Sequence, residues 1–396
     1  MDALAWRVTL SAAALMTLMA GLRSALGLFV SPLNTASGIG LGTLSLMLAL
    51  GQLGVGLTQP LLGAAAEKIG AARVILLGAT LFAALFALPV VWPLPGVVSL
   101  ALVGSAICAG AVVCNSVLVG EIGRAVPSAR AGLAVGVFGA GASIGQLLFG
   151  PATQWAIEAR SWPWALGASA ALSLLALPLA FAFRRRAAPR AAASRGSIRG
   201  MLAEWPFWRA ALSFGVCGFH VSFLAVHMPG VIERCGLPAS LGGTWIAVAG
   251  AANIGGSIAI GLALRRHDAA WLLVALYGVR ALGVAALLAL PPSPAIMLGF
   301  ALVMGASHMA TLPPTSQLVA RRYGVERLGV LLGVVMLVHQ VGGFAGIWFG
   351  GWAAEATGSD RLLWIVDIGL ALLAAALVCP VRARRARQPS LASAGT

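Results

Sequence analysis

Twelve runs of mostly apolar residues follow one another along this 396-residue chain, with only short polar breaks between them. Each is close to the roughly 20 residues that a helix needs to cross the hydrocarbon core of a bilayer. They cover 9–31, 43–65, 74–92, 97–120, 132–153, 162–183, 207–229, 241–263, 271–290, 295–318, 328–350 and 361–380. A water-soluble core could not hide them: 60% of the residues are hydrophobic and 9% charged, against about 25% charged in ordinary soluble domains. The reading is an all-α membrane protein with twelve transmembrane helices. The first run continues into Arg23 without a small-residue cleavage site, so it reads as a retained helix rather than a signal peptide.

A net charge of +15 would suit a nucleic-acid binder, but the positions of the cations argue otherwise. Of the 26 Lys and Arg residues, Arg160, Arg234 and Arg361 fall in loops on one side, and Arg23 and Arg280 fall within spans. All the others lie on the side of the N-terminus. This asymmetry is the positive-inside pattern, so both termini are expected in the cytoplasm and no nucleic-acid partner is needed. Cys108, Cys114, Cys217, Cys235 and Cys379 show no paired spacing and read as small apolar residues.

The basic, Pro- and Gly-containing stretch between the sixth and seventh runs divides the chain into a six-helix unit at 1–183, a linker at 184–206, a second six-helix unit at 207–380 and a basic tail at 381–396. The units repeat. Placing Gly132 on Gly329 also brings Gly136 onto Gly333, Gly145 onto Gly342, Trp155 onto Trp352, Glu158 onto Glu355 and Ala159 onto Ala356. Two parallel repeats around a midplane site form a transporter architecture. In the loop after the second run, Gly63, Glu67, Lys68, Gly70 and Arg73 resemble the Gly-x-x-x-Asp-Arg-x-Gly-x-x-Arg signature of the major facilitator superfamily. There the acid can latch neighbouring helix ends on the cytoplasmic side. Gly261, Arg265 and Arg266 occupy the matching loop of the second repeat, without the acid.

A charge inside a span marks function by default, because Arg at a helix centre costs about 2.5 to 3.5 kcal/mol even on insertion scales. The resemblance implies that helices 1, 4, 7 and 10 line the central cavity, and these carry Arg23, Asn115, His220 and His308. A cationic, hydrogen-bonding cavity suits an anion, and Arg suits a carboxylate. Helix 1, from Leu22 to Phe29, is also similar to the segment of the monocarboxylate porters and oxalate/formate-type exchangers in which a Lys meets the substrate carboxylate; Arg23 stands at that position. The porters' Asp and Arg on helix 8 are replaced by Ala252 and Gly256, which puts their form of proton coupling in doubt.

Arg280 on helix 9 is expected either to pair with Asp367 on helix 12 as a structural bridge or to turn inward as a second cation. His220 and His308 are the candidates for carrying a proton, and His339 with Gln340 for an interhelical tie. Gln52, Gln146 and Asn253 read as ties or ligand contacts, with Gln146 the one assigned to substrate. Pro313 and Pro314 should break helix 10 near His308. The histidine spacing gives no metal motif, and no nucleophile, metal cluster or phosphate-cradling loop suggests an enzyme or a cofactor. The expectation is a monomeric bacterial inner-membrane transporter for a small organic anion, by proton symport or anion exchange. The alternatives are an exporter of hydrophobic compounds and, more remotely, a non-transporting sensor.

Overall fold

The computed structural model describes residues 3–184, 198–324 and 327–380. Among them are twelve helices long and apolar enough to cross a membrane. Helices 1 to 6 are Ala3–Ser37, Leu41–Ile69, Ala71–Val91, Pro95–Ala125, Leu133–Ala159 and Trp162–Phe183. Helices 7 to 12 are Trp205–Arg234, Ser240–Ala263, Ala269–Ala289, Pro294–Tyr323, Leu328–Thr357 and Arg361–Val378. In hydrocarbon the backbone must satisfy itself, so these apolar runs have little alternative to helix. Polar punctuation ends them: Ser161, Asp268 and Ser293 cap helices 6, 9 and 10, and Gly70, at φ +92°, turns the chain from helix 2 into helix 3. Exposed tryptophans gather near helix ends, among them Trp92, Trp164, Trp205 and Trp271, as an aromatic belt requires.

The repeat is visible in the packing. Helix 1 lies on helix 5, 2 on 4 and 3 on 6; helix 7 lies on 11, 8 on 10 and 9 on 12 in the same scheme. The two halves meet through helix 2 against helix 11 and helix 5 against helix 8. Most of the expected linker, and all of the tail at 381–396, lie outside the described residues. The linker's last part is partly helical: Ile198–Leu202 is a short helix whose Leu202 carbonyl accepts from Trp208 Nε1 at 2.7 Å.

Among the described residues four helices break at midspan, helix 6 among them, at Leu174 and Leu175. Helix 1 tightens to a 3-10 turn at Ala25–Phe29, directly after Arg23 and Ser24. Helix 4 is interrupted at Val113 and Cys114 before Asn115. Helix 10 stops at Ser307 and resumes as α-helix at Leu312 after a 3-10 turn at Met309–Thr311. The prolines therefore act upstream of their own positions. Pro313 and Pro314 sit in the first turn of the resumed segment, where no N–H is missed, and the bonds they cannot donate are those to the Met309 and Ala310 carbonyls.

The bundle has a basic end, where helix 1 begins, and a far end. Among the described residues three hydrogen bonds cross between the halves. Gln52 Nε2 donates to Gln340 Oε1 at 2.7 Å and Asn253 Nδ2 to Ser143 Oγ at 2.8 Å, both near midspan. Gly42 N donates to Glu355 Oε2 at 2.9 Å at the far end. There the backbones touch: a Cβ on Gly243 would stand 2.9 Å from Gly150 O, and one on Gly351 would collide with Ser45. At the basic end, Gly136 and Gly139 of helix 5, Gly261 of helix 8 and Gly333 of helix 11 have open space beside them. The halves are thus closed at the far end and parted at the basic end.

Candidate substrate cavity

Arg280 is 1% exposed, deep in helix 9. The break in helix 10 explains what holds it. Where the helix stops, carbonyls lose their intrahelical donors, and the guanidinium supplies replacements. Its Nε donates to Ser307 Oγ at 3.0 Å, and its Nη2 to Ser307 O and, at 3.3 Å, to His308 O. Tyr277 lies beneath, with its ring centroid 5.6 Å from Cζ. Nη1 is left without a partner although it is buried.

Arg280 lines a cavity between the halves, with Ser24 of helix 1, Gln146 of helix 5, Trp245 of helix 8 and His308 of helix 10. Two more polar atoms at this cavity are buried and unpartnered, Trp245 Nε1 and Gln146 Oε1. Val221, Leu224, Ile246 and Met304 make the rest of the wall apolar, and no carboxylate lines it. Buried polar groups without partners are costly and rare, and two of the three here are N–H donors. The arrangement suits an anionic head held by donors above an apolar body. The cavity volume of about 30 Å³ holds a water or two, so a solute enters only as the helices part.

Of the residues expected at the site, the cavity brings together His308, Gln146 and Arg280. Arg23 is half-buried and, among the described residues, makes no hydrogen bond or ion pair; its neighbour Ser24 reaches the cavity wall instead. The side chain of Asn115 lies outside the described residues, and its backbone opens the second segment of helix 4. His220 does not line the cavity. It points back between helices 7 and 12, with Nε2 3.0 Å from Asp367 Oδ1, both side chains wholly buried. The expected Arg280 to Asp367 bridge is not formed, because the helix 10 carbonyls claim the guanidinium and Asp367 faces His220. His339 packs on Phe214, ring centroids 4.7 Å apart, while Gln340 makes the tie to Gln52. Glu67, Lys68 and Arg73 of the loop signature are exposed and unpaired among the described residues, as the parted basic end requires.

Sequence reasoning missed Trp245 and Ser307. A Trp within two turns of a span's end reads as an interfacial anchor, and a Ser followed by a break gives no sign that a cation will cap it.

A family model described as Major Facilitator Superfamily matches residues 11–346. The chain belongs to the Major Facilitator Superfamily. Among solved structures, this superfamily member is similar to a bacterial homologue of the human lysosomal transporter Spinster, in an inward-facing and occupied conformation. The identity is 15%, with 96% of this chain and 97% of that one covered, at a TM-score of 0.78. A D-xylose–proton symporter gives 16% identity over 94% and 97% of the chains at a TM-score of 0.76. The partially occluded inward-open form of the xylose transporter XylE from E. coli gives 15% over 95% and 97% at 0.72. At such identities the likeness shows the fold. A sequence search of curated proteins finds no match.

Proposed function

We propose that this transporter moves a small monocarboxylate across a bacterial inner membrane by alternating access, with its basic end in the cytoplasm. The observation that carries this reading is the buried Arg280, which lines a cavity with no acid in its wall among the described residues and whose Nη1 has no hydrogen-bond partner. A guanidinium so held is offset by a carboxylate and repels a cation. Trp245 Nε1 and Gln146 supply further polar contacts, and the apolar wall favours a substrate with a hydrocarbon body and one charged head. Arg23, unpaired beside the break in helix 1, guides or holds the anion as it enters. The positive-inside pattern makes the parted end the cytoplasmic one, so the structure is read as inward-facing, with the unpaired Glu67 signature as its released latch.

The test is uptake of labelled lactate, 3-methylbutanoate, benzoate and succinate into liposomes holding the purified protein, each with and without an imposed pH gradient. A monocarboxylate with an apolar body is expected to move best. Arg280→Gln should weaken its binding by about 2 to 5 kcal/mol, on the order of 30-fold or more in affinity, while the protein still purifies as a monodisperse species. Transport of cationic dyes with no anion moving would overturn the reading in favour of a hydrophobic-compound exporter.

A further inference from the structure

Behind the cavity wall, helices 7 and 12 bury an acid and a base that substrate does not touch. His220 Nε2 and Asp367 Oδ1 stand 3.0 Å apart with both side chains fully enclosed. Their alignment is outside hydrogen-bond geometry, so both imidazole nitrogens and both carboxylate oxygens lack a hydrogen bond. Such a pair contributes little as a structural tie, since buried polar groups stabilise only when satisfied. It has, instead, unused capacity to take up a proton. Arg280 is buried on helix 9, which packs along helix 12; it is close enough to act electrostatically on both members, and it is the same residue that lines the cavity.

The other titratable groups near the pair include Cys217, which lies close enough to act on Arg280, and His339, whose Nδ1 is buried without a partner. On helix 7, Cys217 lies 3.1 Å from Thr311 Oγ1, and His227 Nε2 is 2.8 Å from Ile347 O. On helix 9, the Tyr277 hydroxyl donates to Ser213 O at 2.6 Å. His308 of helix 10 faces the cavity, and His339 of helix 11 packs on Phe214. Helix 8 and the 3-10 turn of helix 1 carry no ionisable side chain.

The geometry points to His220 and Asp367 as the proton-binding site of the transporter, coupled to the cavity through Arg280. This rests on the anion reading above. With the cavity free of anion, the Arg280 charge offsets an ionised Asp367. When a carboxylate binds Nη1, that charge is neutralised from the cavity side, and an ionised Asp367 is left buried without compensation. One proton then binds the pair, as an O–H on Asp367 or an N–H on His220, and no bond of the substrate changes. One anion and one proton cross together, so the loaded carrier moves no net charge. On release of the anion, Arg280 is again available to Asp367 and the proton leaves.

The experiment compares the intact protein and Asp367→Asn in liposomes, using the member of the carboxylate panel that the intact protein transports fastest. Two rates are read: accumulation driven by a pH gradient, and counterflow exchange at equal pH, in which the carrier returns loaded and no net proton need bind. Asp367→Asn should lose gradient-driven accumulation at least tenfold and keep counterflow within about threefold. Calorimetric binding in two buffers of different ionisation enthalpy should give close to one proton taken up per anion for the intact protein and none for the variant. Gradient-driven accumulation by Asp367→Asn at the parental rate overturns the inference and leaves the anion reading standing. Parallel loss of both rates, or an unchanged proton uptake, makes the pair structural and overturns it as well. If no panel member moves in the intact protein, the anion reading fails and this inference fails with it.

Discussion

At the far end the halves meet backbone to backbone, through Gly150 against Gly243 and Gly351 against Ser45, with Glu355 capping the first turn of helix 2; at the basic end, glycines of helices 5, 8 and 11 have open space beside them. The same two helix pairs, 2 with 11 and 5 with 8, therefore carry a tight contact at one end and a gap at the other. Rigid helices that are packed at one end must diverge at the other, so closure of one side and opening of its opposite are one event. What sets the balance is a few contacts unique to each state.

The largest expected break in this contrast is Gly351→Val. The added Cβ falls on the Ser45 side chain and stands 3.1 Å from Leu41 O, and forced overpacking costs about 1 to 3 kcal/mol. Because only the far-closed state has this contact, the population should move toward far-open by roughly 5- to 150-fold. Spin labels on Thr35→Cys and the native Cys235, exposed positions on opposite halves of the far end, would report a longer distance. Burial and Asp360 push the Cys235 thiol up, against the opposing effect of Arg234, so its labelling should quicken as pH rises above neutrality. An unchanged distance would mean that the glycine contacts do not decide which end is closed.

A smaller effect is expected from Glu355→Gln. The amide can still accept from Gly42 N, but the charge at the start of helix 2 is lost, a change of about 0.3 to 1 kcal/mol. The far-open fraction should rise about two- to fivefold. Glu158, the repeat equivalent of Glu355, provides a control within the molecule. It accepts from Gln154 Nε2 at 2.8 Å on its own helix, and no side chain caps the start of helix 8. Glu158→Gln should leave the label distance where it was. A shift equal to that of Glu355→Gln would show that far-end charge in general, rather than the cap, holds this end shut.

The twelve helices were legible because a bilayer imposes one criterion on every span, and the repeat because Trp155, Glu158, Trp352 and Glu355 keep fixed offsets. The break in helix 10 was legible from Pro313 and Pro314, displaced by the four residues over which a missing N–H acts. The partners of the buried charges were not. Arg280 is held by carbonyls, which every residue possesses, and Asp367 meets His220 only through the relative rotation of helices 7 and 12. Neither apolar periodicity nor residue type encodes that rotation when a helix is apolar all round. The same limit hid which end would be closed, since Glu67 and Glu355 are equally able to cap a helix and only the packing shows that one of them does.

The smallest effect belongs to the midspan ties, and it sharpens the contrast between the ends. Gln52 with Gln340, and Ser143 with Asn253, join the halves at repeat-equivalent contacts of helices 2 with 11 and 5 with 8. A contact near the pivot of a rocking motion moves least, so it should persist in both states. Such interhelical bonds are worth about 0.6 kcal/mol in membrane proteins. A cycle of Gln52→Ala, Gln340→Ala and the double variant should therefore show a coupling of that size in detergent stability and no change in the spin-label distance. If the cycle instead shifted the distance as Glu355→Gln does, the tie would belong to one state only. The pivot would then lie closer to the basic end than the two crossing bonds place it.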